Sequence, residues 1–466
     1  MSRQNLAYTL GVLAVVFAVA WGAHGGEAAL PVVGAQTDTW TTEVARKYGV
    51  RLLETRDPRG PAAYPVNAGD LLFFTNTGTS YGAKNTRNAV VVINARTRKP
   101  IAVSEVEAAW SEGFISHGIG VSPDAKYVYL PAIAPRNAAN PGSVLVLDAR
   151  TLKIAQVITS AGQAPHHVKM FEDANGRARM LVEEFNWHGS GGGVLISKSD
   201  VGQGFYVLDP RDNNKVVAGM AIGEVRGTIY TCFGAPGGGY LYCSVPGPDM
   251  RNSIRGRGYL AKIDTQSWKL VESLPMGAYP LWTVFTQDGN WAWITNSGES
   301  KVFKIQRATG PGQADKVVAE VPTGGGPYGL RMSIDDREVW VADKGEGQAT
   351  RGSTITVIDA ERNQVKQTIK TGCILNDHVI LSPDGREMWA TCNESHEVIV
   401  IDARTYEIQA RIPMPNQGDS HGGSFVSYSA GPGGVGGETV SDTSGLHGSA
   451  LDAARRKVPW SAQNAR

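Results

Sequence analysis

Five histidines in this sequence precede or open short apolar runs. They are His117 in FISHGIGV, the adjacent pair His166 and His167 in APHHVKM, His378 in LNDHVIL and His421 in DSHGGSF. Imidazole nitrogens gathered without thiolates suit copper, zinc or iron. The four cysteines do not compete for that role. Cys232 and Cys243 flank the turn APGGG, Cys373 and Cys392 flank the turn SPDG, and no CxxC occurs. Each pair is expected to bridge two antiparallel neighbours as a disulfide. Polar groups that move protons or hold anions are also present. Lys84 lies in GTSYGAKNTR, Glu224 and Arg226 in GEVRGTIY, Asp249 in GPDMRNSIRGR, and Asp377 directly before His378. A carboxylate beside bound metal is a natural base for activating water, and a lysine there holds an anion.

Residues this far apart meet only if the fold brings them to one place, and the repeats supply such a fold. A β-branched run ending in Asp or a near-equivalent, then a turn and a further strand, recurs seven times. The copies are VVVINARTRKP, VLVLDARTLKI, FYVLDPRDNNK, YLAKIDTQSWK, VFKIQRATGPG, ITVIDAERNQV and VIVIDARTYEI. Apolar and aromatic-rich strands precede each copy, joined by turns such as SPDG, whose Asp caps the turn. The first copy lacks its opening strand, and HGGSFVSYS near the C-terminus supplies it. The reading is an all-β, seven-bladed β-propeller of four-stranded blades, closed by a C-terminal strand completing the first blade.

In such a ring the starts of the innermost strands surround the channel at one face, the top. His117, His166, His167, His378 and His421 all fall there. His447, in GLHGSA, belongs to the Gly-rich tail, which is expected to fold back over the same face and add a sixth ligand. His188 and His396, in loops between second and third strands, are read as ordinary polar residues. The expected set is therefore a metal site of His117, His166, His167, His378, His421 and His447, with Glu224, Lys84 and Asp249 as catalytic candidates.

The chain has 466 residues, with Lys plus Arg at 45 and Asp plus Glu at 44, so no global field points to nucleic acid or an anionic membrane. Residues 1–28 read as a signal peptide: Arg3, an uncharged apolar run from Leu6 to Gly22, then small residues for cleavage. An uncleaved anchor is the competing reading of that run. Residues 29–64 form an N-terminal extension, 65–430 the propeller and 431–466 the tail. The expected location is the periplasm, with no membrane contact after cleavage.

The repeats resemble the YVTN-type propellers. Histidines ringing the top of an exported seven-bladed propeller also resemble the catalytic domain of nitrous oxide reductase, although no Cys- and His-rich cupredoxin motif for electron entry is present. The closer resemblance is to the thiocyanate dehydrogenase family. Its pattern includes a lysine about thirty residues before the first histidine (Lys84 and His117), the pair His166–His167, the late His378 and His421, and a final His447. This resemblance implies a centre of three copper ions, with thiocyanate and water converted to cyanate and elemental sulfur and two electrons passed to an acceptor such as a cytochrome c. Glu224 would be the base and Lys84 would steer the anion. It also implies a ligand between His188 and His378, where this sequence has no histidine; Tyr328 or another group would stand there. Two other readings stay open. One is a haem d1 propeller like that of cytochrome cd1 nitrite reductase or its biosynthetic relatives. The other is a non-enzymatic binding propeller. A homodimer is compatible with all three.

Overall fold

The structure, a computed structural model, describes residues 64–78, 88–106, 115–133, 143–160, 165–184, 203–225, 229–246, 258–308, 313–415 and 417–457, and the backbone of Val50–Thr55. The protein is a seven-bladed β-propeller whose blades are antiparallel sheets. Four-strand runs such as Pro165–Glu172, Ala178–Glu184, Gln203–Asp209 and Lys215–Ala221 make one blade each, the first strand innermost. Aromatic residues of the second strands, among them Trp293, Trp340 and Trp389, are fully buried between blades. Blade 1 closes the ring as expected: the late strand Ser424–Gly431 pairs with Leu71–Gly78, placing Phe425 opposite Phe73.

The repeated Asp residues do local work. In blade 2, Asp148 Oδ1 accepts the Arg150 and Thr151 amides at 3.0 and 2.8 Å. In the SPDG turn of blade 7, Ser382 Oγ donates to Asp384 Oδ1 at 2.7 Å, and the Arg386 amide donates to the same oxygen. Such caps satisfy turn amides that no strand reaches. Both expected disulfides form, Cys232–Cys243 and Cys373–Cys392. They agree with an exported protein. No helix among the described residues is long and apolar enough to cross a membrane.

Two features at the ends of the chain differ from a plain ring. Val50–Thr55 adds an outer strand to blade 2 by pairing with Ile154–Ser160. The tail does not cover the top face. After Gly431 the chain turns at the bottom, and Gly434–Asp442 runs back up the channel beside Ser424–Gly431. Its side chains tie it to several blades. Thr439 Oγ1 donates to Ser122 O, Ser441 Oγ to Leu381 O and Ser444 Oγ to Met170 O. The Trp282 indole donates to Thr443 O at 3.3 Å. The helix Gly448–Lys457 then follows. A strand that would otherwise expose an edge finds backbone and hydroxyl partners on the channel wall, which is why the tail fills the channel from below.

Candidate metal centre

The backbone at the top of the inner strands explains how neighbouring residues both reach one point. In blades 3, 5, 6 and 7 the pairing of inner and second strands shifts at the same place: after Pro165, Pro280, Pro327 and Asn376. A bulge lets two consecutive residues oppose the partner strand and re-aims their side chains. The pairs so placed are His166–His167, Leu281–Trp282, Tyr328–Gly329 and Asp377–His378. Blades 1 and 2 use another device. The sequence Ser-His-Gly occurs as Ser116–Gly118 and Ser420–Gly422, and in both the inner strand breaks at the histidine. Gly118 and Gly422 have φ of 89° and 90°, a left-handed conformation that side chains with a Cβ rarely adopt.

The result is one cluster. His117, His166, His167, His378 and His421 are 7, 0, 2, 1 and 0% exposed. Ring centroids lie 3.7 Å apart for His117–His421, 3.8 Å for His166–His167, 4.2 Å for His117–His166 and 4.9 Å for His378–His421. Three overlapping groups place three ligand atoms within 4.8 Å of one another: His117, His167 and His421; His166, His167 and Glu183; and Asp377, His378 and His421.

Hydrogen bonding fixes some of these rings and leaves donor atoms over. His421 Nδ1 lies 2.7 Å from Asp377 Oδ2, so Nδ1 carries the proton and Nε2 holds the lone pair. His166 Nδ1 is 3.1 Å from Tyr230 O, which puts its proton on Nδ1 and its lone pair on Nε2. Among the described residues, the Nε2 atoms of His167 and His421 and both His378 ring nitrogens have no hydrogen-bond partner. A buried polar atom without a partner is expensive. Several in one pocket mark a place built to hold something.

Two buried lysines complete the arrangement. Lys344 Nζ is 2.8 Å from Asp377 Oδ1, 3.3 Å from Glu346 Oε2 and 3.7 Å from the Tyr328 ring centre. Lys169 Nζ is 2.7 Å from Glu183 Oε1, and Glu183 Oε2 is 3.5 Å from His167 Nδ1. On two sides of the cluster, then, a buried lysine holds a buried carboxylate that faces a histidine. Tyr328 stands 5.1 Å from the His378 ring and accepts from the Tyr230 hydroxyl at 3.1 Å, inside the region where a further ligand was expected.

Burial holds all five imidazoles well below their ordinary range. Neighbouring imidazole and lysine charges push the same way, while Asp377 opposes at His117 and His378. Burial also raises Glu183 to about 7. A folded state whose histidines resist protons binds fewer than the unfolded chain near pH 6.5. Metal-free protein is therefore expected to be stable above that pH and to lose up to about 1.4 kcal/mol per pH unit per histidine below it. Glu183 works in the opposite direction, as one group against five. Denaturant unfolding of metal-free protein at about pH 7.5 and pH 5.5 checks the sign: the midpoint should fall at the lower pH.

Other candidates from the sequence lie elsewhere. His447 is not at the top; its Nε2 lies 2.9 Å from Asp442 Oδ1 in the channel-filling tail, and it shares a cavity with the bottom turns at Asp124 and Gly237. Glu224 is exposed, on the short helix Ile222–Val225, which packs on the third and fourth strands of blade 3 and the fourth strand of blade 4. His396 pairs with Asp419 at 2.9 Å, the ordinary polar role expected of it. Lys84, His188, Arg226 and Asp249 lie outside the described residues.

Glu183, Lys169 and Lys344 carried no weight in the sequence reading, yet the repeats mark Glu183. Aligned second strands read LFFTN, AWITN and MWATC, where Thr75, Thr295 and Thr391 occupy the position that Glu183 takes in RMLVEE. Thr295 and Thr391 accept the Trp282 and His378 amides there. A carboxylate in place of that hydroxyl is the departure that signals a site.

Gly118 gives a local test. A Cβ built on it would lie 2.5 Å from His167 Cδ2, and its positive φ adds strain. Gly118→Ala is expected to displace the His167 ring and weaken metal binding by at least about tenfold, while costing about 1–3 kcal/mol of stability. Metal titration and thermal unfolding of the variant measure both.

No family model matches the chain, and no curated protein matches it. Solved structures do. A periplasmic gluconolactonase from Pseudomonas aeruginosa aligns at 15% identity over 76% of this chain and 99% of its own, with a TM-score of 0.54. The hydrazine synthase of Kuenenia stuttgartiensis aligns at 18% identity over 68% and 90%, with a TM-score of 0.50. A dihydro-heme d1 dehydrogenase, NirN, aligns at 17% identity over 78% and 77%, with a TM-score of 0.49. At these identities the likeness to the first two shows the propeller fold and nothing about the chemistry it carries.

Proposed function

We propose that this chain is an exported copper oxidoreductase that oxidises thiocyanate with water to cyanate and elemental sulfur, passing two electrons to an external acceptor such as a cytochrome c. The observation that carries the reading is the buried meeting of five histidines from four blades, several with unpartnered ring nitrogens. The resemblance of the histidine pattern to thiocyanate dehydrogenases supports the choice of substrate.

The donor set fits copper. It is rich in neutral imidazole, contains no thiolate, and includes two buried carboxylates, Glu183 and Asp377. His117, His167 and His421 would hold one ion, and His166 and His378 would each be a donor to another, with Glu183 and Asp377 beside them. When bound, such ions accept electrons one at a time and polarise a coordinated anion or water.

The chain's own groups do the rest. Conversion of thiocyanate and water to cyanate and sulfur releases two protons with the two electrons, so a base must lie beside the reacting atoms. Asp377 Oδ2 already holds the His421 Nδ1 proton, which leaves Glu183, facing His167, as the carboxylate placed for that task. Lys344 and Lys169 keep positive charge next to an anionic substrate. Lys84 retains in this reading the anion-steering role that the resemblance implies, and Asp249 stays a catalytic candidate on its position in the sequence alone. Burial of the whole cluster excludes bulk water, which strengthens each of these interactions.

The test is thiocyanate-dependent reduction of an artificial electron acceptor by copper-loaded protein, with cyanate and sulfur quantified. One equivalent of each product per two electrons supports the reading; copper binding without thiocyanate turnover removes the substrate from it. Glu224→Gln separates the two base assignments. Because Glu224 is exposed and away from the cluster, the variant is expected to keep its copper and turnover within about twofold.

A further inference from the structure

Below the histidine cluster, on the opposite side of the channel-filling tail, lies a second cavity of about 470 Å³. Its wall includes Arg331, on the inner strand Pro327–Met332 of blade 6. Aligned inner strands read PHHVKM, PLWTVF, PYGLRM and NDHVIL, so the position of Arg331 is Val284 in blade 5 and Ile380 in blade 7. Lys169 is its counterpart in blade 3, and Lys169 is neutralised by Glu183 at 2.7 Å.

Arg331 has no such neighbour. It is 6% exposed, and among the described residues it forms no hydrogen bond and no ion pair; its Nε is unpartnered. The two carboxylates whose charge it feels are committed elsewhere. Asp442 takes the His447 ring, the Ser444 hydroxyl and the Ser444 amide. Asp336 takes the Gln287 amide at 2.6 Å. Gly445, in the turn of the tail, makes room for the guanidinium: a Cβ there would lie 3.3 Å from its Nη2. A guanidinium presents five donors in a rigid fork and stays charged even though burial lowers Arg331 to about 10. Burying that charge is costly, and Asp442 and Asp336 offset it only through space, with no hydrogen bond or ion pair to the guanidinium among the described residues.

We propose that this lower cavity is an anion site, in which Arg331 holds a small oxyanion, a carboxylate or an inorganic oxyanion such as sulfate, through its planar fork. The remaining wall suits a ligand with a polar end and an apolar body. Phe171, Phe285 and Met332 line one part; Arg177, Arg211 and Arg455 add positive charge to the wall, and Asp124, Glu172, Asp336 and Glu438 add negative charge, so Arg331 is the buried cation that would hold the anion. The site is distinct from the histidine cluster and does not depend on metal or on the reaction proposed above.

Calorimetric titration of the full-length mature protein with sodium sulfate, and separately with sodium acetate and succinate, tests this at constant ionic strength. Saturable binding of one anion per chain is expected, weakened at least about tenfold in Arg331→Met and only partly in Arg331→Lys, whose point charge lacks the fork. The two arms identify the ligand chemistry: sulfate binding alone assigns an inorganic oxyanion, and tighter succinate or acetate binding a carboxylate. Thermal unfolding guards against a folding artefact. In chloride buffer without the three test anions Arg331→Met should be as stable as the parent or more so, since it removes a buried charge that has no ion-pair partner. Added ligand should raise the melting temperature of the parent and leave that of the variant unmoved beyond the general salt effect. Absence of saturable binding by all three anions, or binding that survives Arg331→Met unchanged, overturns the proposal.

Discussion

Replacing His167 with alanine is expected to strip copper from the chain and to cut thiocyanate-dependent turnover by more than about 100-fold. His167 belongs to two of the three donor groups, with His117 and His421 on one side and His166 and Glu183 on the other. Its loss therefore damages two coordination positions, where loss of His166 or His378 damages one. The fold should survive. The ring lies in a pocket of polar groups, and its Nε2 is unpartnered in the metal-free protein, so removal trades a desolvation penalty against a small cavity. The melting temperature of the metal-free variant should stay within about 4 °C of the parent. Copper analysis, turnover and melting measured together distinguish a lost ligand from a lost fold. A variant that keeps full copper and activity would remove His167 from the site.

The second large effect is on stability as well as on metal. Asp377→Asn preserves shape but removes the charge between Lys344 and His421. Lys344 would lose the charge of Asp377 and keep Glu346, 3.3 Å away and partly exposed. Uncompensated burial of one member of such a pair costs about 3–5 kcal/mol. The Lys344 ammonium draws the amide oxygen to its own side, so the amide nitrogen, a donor, faces His421 Nδ1 and cannot accept its proton. The proton would move to Nε2, and the lone pair facing the cluster would be lost, weakening copper binding by about 10–100-fold. The double variant Asp377→Asn, Lys344→Met separates the two consequences. It should recover most of the stability and none of the copper affinity. Recovery of both would mean that Asp377 only balances the lysine and does not orient His421.

The propeller was legible because each blade repeats the same problem: two apolar strands, an Asp-capped turn, two more strands, and a ring that must close. The Ser424–Gly431 strand could be assigned to blade 1 from the absence of an opening strand before Leu71. The five histidines could be placed together because inner-strand starts converge in any such ring. Three things resisted that logic. Asp377 looks like a loop residue in the sequence, and only the bulge after Asn376 turns it inward beside His378. Lys169 and Glu183 are charged residues inside strands and Lys344 directly follows one, places where single-strand patterning reads them as solvent-facing, although comparison between blades marks Glu183 and Arg331 as departures. The direction of the tail depended on tertiary partners, the hydroxyls of Thr439, Ser441 and Ser444 meeting carbonyls of three blades. No local pattern encodes that choice, and so His447 was expected at the wrong end of the channel.

The floor built by the tail gives the histidine cluster its enclosure. With Gly434–Asp442 filling the channel and Thr443 beneath Trp282 and Gly422, the centre is sealed from below.

The central claim is that the five buried histidines form a copper centre, and elemental analysis of the purified mature protein after copper loading tests it most directly. The account predicts about three copper ions per chain, with nitrogen and oxygen donors alone in the X-ray absorption spectrum. A chain that retains no stoichiometric copper after loading and desalting, or one whose copper is bound through sulfur, would contradict it.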